Sequence, residues 1–146
     1  MRSGPLPEPL EIRLRRRDVS PLPQGALARF QVINRGKNFA GNYRWVLYPD
    51  GRLFVAQNNG RGADAETPFD TDLPKAPTKR LPKAVVEQVE HQLREADFVH
   101  QPAYQEEPNT EDGDYVVVTA RLDGQENEVI YDAVSPAPVP FLWRIE

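Results

Sequence analysis

The chain predicts an α+β domain: an antiparallel sheet of about six strands built from hairpins, with one main amphipathic helix packed on one face. Three features carry that prediction. Tyr48-Pro49-Asp50-Gly51-Arg52 and Leu122-Asp123-Gly124-Gln125 are turn signals set between runs rich in β-branched, aromatic and other apolar residues, so each marks the tip of a β-hairpin. Between the two tips, Val86, Val89, Leu93 and Ala96 recur at spacings of three, four and three, the pattern of a helix with one apolar stripe.

The N-terminal third supplies two further strands. Residues 1–9 hold Pro5, Pro7 and Pro9 and are expected to be an extended, polyproline-like lead-in to a single domain over 10–146. From Leu10 to Arg17, Leu10, Ile12 and Leu14 alternate with Glu11, Arg13 and Arg15, the period of a half-buried strand. Ser20 to Gly25 is a proline-rich connector. From Ala26 to Ile33, the residues Ala28, Phe30 and Val32 share one parity and predict a strand, which Asn34-Arg35-Gly36-Lys37-Asn38 ends.

The first hairpin can be worked out to its register. Pro49 suits the second position of a type I turn, and Gly51 the left-handed position of a three-residue bulged loop. Leu47 then faces Leu53, Trp45 faces Val55, and Tyr43 faces Gln57. Tyr43, Trp45, Leu47, Leu53 and Val55 form the expected core face, while Arg44, Val46, Tyr48, Arg52 and Phe54 form an amphipathic second face. A slip of one residue would expose Trp45 and Leu47, so the pattern specifies its own pairing.

Asn58 to Arg80 is a polar segment of about 23 residues, longer than ordinary connections and therefore expected to be functional or disordered; Gly60-Arg61-Gly62 is its flexible tip. The helix runs from Leu81 to Asp97. Pro82 fits its first turn, Glu90 and Arg94 make an i,i+4 pair on the wet face, and Phe98 caps the stripe. Pro102 to Asp114 is an acidic loop. In the second hairpin, a two-residue turn sets Leu122 opposite Gln125, Ala120 opposite Asn127, Val118 opposite Val129 and Val116 opposite Tyr131. That face is the expected core face, and Arg121 meets Glu126 on the other. Pro136, Pro138 and Pro140 lead to Phe141-Leu142-Trp143-Arg144-Ile145, a short terminal helix or strand.

Composition bounds the function. The chain of 146 residues is 39% apolar and 27% charged, which suits a globular protein rather than a disordered one. It has no cysteine, which removes disulfides, iron–sulfur clusters, thiolate zinc sites and cysteine nucleophiles and fits a reducing compartment. Met1-Arg2-Ser3-Gly4-Pro5 leads into no apolar stretch, and no run reaches the ~20 apolar residues of a membrane span. The expected location is the cytoplasm. The net charge of −4 conceals an asymmetry. Residues 1–44 hold nine Lys/Arg against three acids, and residues 45–146 hold nine against nineteen. The simplest account is a basic N-terminal strand packed beside an acidic body.

No residue set carries a reaction signature. His91 and His100 lack the spacing of a metal motif and are expected as solvated surface histidines. Ser3, Ser20 and Ser135 lie outside any nucleophile elbow. Glu106, Glu107, Glu111, Asp112 and Asp114 are dense, but Asp112-Gly113-Asp114 lacks the alternating ligands and distal glutamate of a calcium loop; a carboxylate-dependent hydrolase is the catalytic alternative. Arg13, Arg15, Arg16 and Arg17 form a basic cluster, but the pI of about 5.3 opposes a nucleic-acid role, which is driven mainly by charge. No cofactor and no metal are expected.

The stretch Gly36 to Glu146 resembles two small bacterial families. One is a domain of unknown function, matched at Phe39-Ala40-Gly41-Asn42-Tyr43, Pro49-Asp50-Gly51, Ala96-Asp97-Phe98, Tyr115-Val116-Val117-Val118 and Pro138; the cysteine pair that family places before the tyrosine is missing here. The other is the emfourin family of small protein inhibitors of thermolysin-like metalloproteases. It is similar at Asn38-Phe39-Ala40-Gly41, at Glu95-Ala96-Asp97-Phe98 and at the Tyr115 strand, and differs at the Asp50-Gly51 hairpin and over 58–80. This resemblance implies protease inhibition as an alternative function, and neither family supplies a catalytic residue to carry over.

The function expected from the sequence is non-catalytic binding of another protein through loops on a rigid scaffold, with neither nucleic acid nor membrane as partner. The candidate contact residues are Asn58, Asn59, Arg61, Phe69, Tyr104, Glu111 and Asp112.

Overall fold

Left-handed backbone turns the chain at both predicted hairpin tips. In the computed structural model, which describes residues 21–33, 42–59, 69–106 and 115–132, Gly51 lies at φ +97°. Its N–H donates to Tyr48 O at 2.9 Å, and the Tyr48 N–H donates to Arg52 O at 3.0 Å, which closes the bulged loop. Strands β2 (Tyr43–Leu47) and β3 (Arg52–Gln57) pair in the predicted register, Leu47 to Leu53, Trp45 to Val55 and Tyr43 to Gln57.

The second tip has Asp123 at φ 53° and Gly124 at φ 79°, two successive left-handed residues, as a type I′ turn requires. It joins β6 (Tyr115–Leu122) to β7 (Gln125–Asp132), again in the predicted register from Leu122–Gln125 to Val116–Tyr131. Strand β1 (Ala28–Ile33) pairs antiparallel with both β2 and β6 and so welds the two hairpins into one sheet. It starts two residues later than predicted, because Ala26 closes a turn through its N–H to Pro23 O at 3.0 Å.

Two short edge strands, β4 (Lys79–Arg80) and β5 (Tyr104–Glu106), complete a seven-stranded order β4-β3-β2-β1-β6-β7-β5. β5 runs parallel to β7, and the other neighbours are antiparallel. Both edge strands correct the sequence reading, which placed Lys79 and Arg80 in a long loop and 104–106 in an acidic one. Two or three mostly polar residues have no period to detect; they are strands because a neighbouring strand offers them free backbone groups. The predicted strand over 10–17, the lead-in and the terminal segment lie outside the described residues.

The front face of the sheet is read off in rows. Phe30, Trp45, Val118 and Val129 stand in one row, and Ala28, Leu47, Leu53 and Ala120 in the next; all eight are fully buried. Phe30 and Trp45 stack with ring centroids 5.5 Å apart and 8° between planes. Helix α1 (Lys83–Glu95) covers this face with buried Val86, Val89 and Leu93, joining the same core, and it lies inside the predicted limits of 81 and 97. Pro82 stands at its N-cap. At its other end, Asp97 adopts φ 52°, and this left-handed residue drops Phe98 into the core, fully buried. No described helix is long and apolar enough to cross a membrane.

The second face is less wet than the hairpin patterns predict. At the centre of the sheet it buries Arg29, Gln31, Val46, Val117, Thr119 and Ile130. Two of the polar members share one carboxylate: Arg29 reaches Glu128 at 3.5 Å, and the Thr119 hydroxyl donates to Glu128 Oε2 at 3.0 Å. Part of this face is covered by the segment before β1, whose Leu22 and Ala26 pack with Val46 in a second small cluster, and parity does not report what lies over a face.

The two tip glycines differ in their surroundings. A Cβ on Gly51 would lie 2.4 Å from Leu81 O, whereas one on Gly124 would meet nothing within 4 Å. Gly124→Ala should therefore cost only the left-handed penalty of about 1–2 kcal/mol. Gly51→Ala should add an overpacking cost of about 1–3 kcal/mol. Urea unfolding of the two variants checks the order, and equal losses would contradict the close approach of the first tip to Leu81.

Candidate functional site

Four of the seven candidate contact residues have described positions: Asn58, Asn59, Phe69 and Tyr104. Arg61, Glu111 and Asp112 lie outside the described residues. Asn58, Asn59 and Phe69 come together at the base of the segment that follows β3. The buried Asn58 carboxamide oxygen accepts the Asp70 N–H at 2.9 Å, and its own N–H donates to Asn42 O at 3.0 Å. The Asn59 N–H donates to Asp70 Oδ1 at 3.0 Å, and its side chain donates to Thr71 Oγ1 at 3.3 Å. Phe69 is buried with the Arg44 guanidinium 4.8 Å from its ring centroid, and Arg44 also donates to Thr71 O at 3.3 Å. These bonds make a clasp that brings residues 58–59 against 69–71. Tyr104 sits elsewhere, at the start of β5, paired with Ile130.

Two open depressions mark the described surface. The first holds ≈230 Å³ between the end of α1 and the second hairpin tip, and is lined by Leu93, Phe98, Val99 and Leu122 with Arg94, Asp97 and Asp123 at its edge. Arg94 donates from both Nη atoms to the two Asp123 carboxylate oxygens, a forked pair, and lies 3.9 Å from the predicted partner Glu90. The hydrogen bond from Arg94, helped by its charge, lowers the Asp123 pKa. His100 Nδ1 and Asp97 Oδ1 lie 2.6 Å apart at the exposed surface, and His91 pairs with Glu95 at 2.7 Å.

Beneath this depression a polar latch holds the turn after α1 to β7. Asn127 donates to Phe98 O and to Gln101 O, both at 3.0 Å. The Tyr131 hydroxyl donates to Gln101 Oε1 at 2.6 Å, and burial pushes this phenol above its ordinary pKa. Every hydrogen bond of the latch serves to fix the turn. Among the described residues no three His, Asp or Glu side chains converge as a metal site would require.

The second depression is a groove of ≈280 Å³ on the other face of the sheet. Val46 forms its floor. Tyr48 and Phe54, in edge-to-face contact with centroids 5.7 Å apart, form one ridge, and Leu73, Pro74 and Lys75 form the facing wall, with Pro23 also lining the groove. Tyr48, Phe54 and Leu73 are half-buried, and Pro74 and Lys75 are exposed. The sequence reading placed Tyr48 and Phe54 on the amphipathic face of the first hairpin but did not name them as contacts. Their signal was available: two aromatic rings on the face opposite the main core, where Tyr48 packs on the small cluster of Leu22, Ala26 and Val46. Leu73 and Pro74 had no such signal, since they come alongside β2 and β3 through the clasp on one side and Thr78 on the other, whose N–H donates to Leu53 O at 2.7 Å and whose hydroxyl accepts the Val55 N–H at 2.9 Å.

Comparison with protein-family models and with curated proteins finds no match.

Two outcomes test this geometry. Asn58→Ala removes a buried acceptor from the Asp70 N–H and should cost about 1–3 kcal/mol in thermal or urea unfolding; an unchanged midpoint would mean that the clasp contributes nothing. Asp123→Asn keeps a residue that tolerates the left-handed turn but removes the charge. Because the folded pKa of Asp123 is depressed, its contribution exists above the ordinary carboxylate pKa of about 4 and is lost as pH falls through the folded value. Wild type should unfold at a higher temperature than Asp123→Asn near neutrality, and the gap should close in acid; a gap independent of pH would contradict the pairing.

Proposed function

We propose that this chain is a non-catalytic protein-binding domain, and that its contact surface is the groove between the Tyr48–Phe54 ridge and the Leu73–Lys75 wall. The observation that carries the reading is the placement of half-buried aromatic and aliphatic side chains around an open groove on a rigid sheet. Aromatic side chains anchored in the middle of a contact carry most of the affinity of typical interfaces, and a ridge built on paired strands keeps them preorganised. The loop residues expected from the sequence have a supporting part. Asn58, Asn59 and Phe69 form the clasp, and the clasp holds the chain that supplies Leu73 and Pro74.

Leu73→Ser tests the reading, because Leu73 lies outside the main core and packs only half-buried on the small cluster of Leu22, Ala26 and Val46, and an unchanged circular dichroism spectrum checks that the variant is folded. Tagged wild type should retain specific proteins from its native lysate that the variant does not, with an affinity loss of about tenfold for the strongest one. Equal retention by wild type and variant would remove the groove as the contact surface. A lysate from which wild type retains nothing specific would remove the protein-binding role itself.

A further inference from the structure

Apolar walls give the groove its shape, and the charged residue that lines it is a cation. Lys75 stands on the outer wall. On the ridge side the Arg52 guanidinium lies over the Tyr48 ring, 4.4 Å from its centroid. Arg80 pairs with Arg52 between β4 and β3, so its side chain leaves the sheet on the same face as Arg52. From Leu73 to Val86 the chain holds Lys75, Lys79, Arg80 and Lys83 and no acid, in a protein of net charge −4. Asp72 directly precedes this run. Arg52 is itself held by Asp50 at the hairpin tip, its Nε donating to the two carboxylate oxygens at 3.1 and 2.8 Å, so the pair adds no net charge, and Arg80 Nη1 donates to Asp50 O at 3.2 Å.

Part of this charge has a structural use. Lysine and arginine on a short edge strand discourage edge-to-edge association, and Lys79 and Arg80 occupy such a strand. Lys75 lies outside β4, so edge protection does not account for it, whereas Arg52 is used in the pair with Asp50. The volume is also informative. At ≈280 Å³ the groove is near the lower end of the range of about 300–1,000 Å³ typical of ligand pockets and has room for one or two apolar side chains.

Resting on the protein-binding reading, we propose that the groove receives a short acidic segment of a partner protein. An apolar side chain of that segment seats against Tyr48 and Phe54, and its carboxylates meet Lys75 on the wall, with Arg80 on the same face of the sheet adding to the positive field. Charge of one sign around an apolar seat favours oppositely charged partners and speeds their encounter.

Selection of a displayed random-peptide library on the full chain tests the partner's chemistry, followed by fluorescence anisotropy with the best peptide and with a single-stranded RNA oligonucleotide. The expected winners combine Asp or Glu with a large apolar residue, bind more weakly as salt rises, and lose about tenfold in affinity to Lys75→Gln/Arg80→Gln. Lys75 and Arg80 are exposed, so this variant should keep its circular dichroism and melting temperature; Lys75→Gln alone gives a milder second test with the same direction. Winners that depend on Leu73 but are neutral or basic, or that bind the charge variant equally well, would overturn the acidic class and leave the groove in place as a protein-binding surface. RNA bound more tightly than any selected peptide, and lost in the same variant, would also overturn it. No enrichment, or winners indifferent to Leu73→Ser, would remove the groove reading as well.

Discussion

Once a turn fixes the register of a hairpin, every side chain on both strands is committed to one face or the other. Gly51 and the Asp123-Gly124 pair impose that commitment here, and the rest of the architecture follows from it. With Leu47 opposite Leu53 and Val118 opposite Val129, the large apolar residues of both hairpins fall on the face that β1 completes with Phe30. That face has to be covered, and α1 covers it. The same commitment sends Tyr48 and Phe54 to the opposite side, where they form a ridge on the surface. The core face and the groove are thus two consequences of one parity.

The helix is held at both ends by these tips. At its start, Leu81 N–H donates to Gly51 O at 2.7 Å, and no side chain would fit between them. At its end, Arg94 grips Asp123, while Asn127 and Tyr131 bind the turn that follows. Each hairpin therefore fixes one end of the element that buries its own front face. Such closure leaves little freedom for the helix to slide, and it makes the far face of the sheet a stable platform for the groove.

The legible part of the fold is the part with a local cause. Turn residues with left-handed backbone fixed both registers residue by residue, and period-3.6 spacing located α1. The edge strands were not legible, because Lys79–Arg80 and 104–106 become strands only through the neighbours they meet. Burial of Arg29, Gln31 and Thr119 was hidden for a related reason: alternation reports which side a residue takes, and not what lies over that side. The groove was half legible. Tyr48 and Phe54 stood out as aromatics on the face opposite the main core, but Leu73 and Pro74 follow a clasp of Asn58, Asn59 and Asp70 that spans eleven or twelve residues of sequence. Three of the candidate contacts chosen for lying in long loops, Asn58, Asn59 and Phe69, fall in the clasp, where Asn58 and Asn59 bond to Asn42, Asp70 and Thr71.

The two depressions make different demands on the molecule, since one is floored by the end of α1 and the other by β2. Amide chemical-shift mapping of the full chain during titration with a selected acidic peptide distinguishes them in one experiment. The account predicts saturable shifts at Val46, Tyr48, Phe54, Leu73 and Lys75, with Leu93, Phe98 and Leu122 unmoved. Shifts centred on Leu93, Phe98 and Leu122, with the groove residues unmoved, would contradict it.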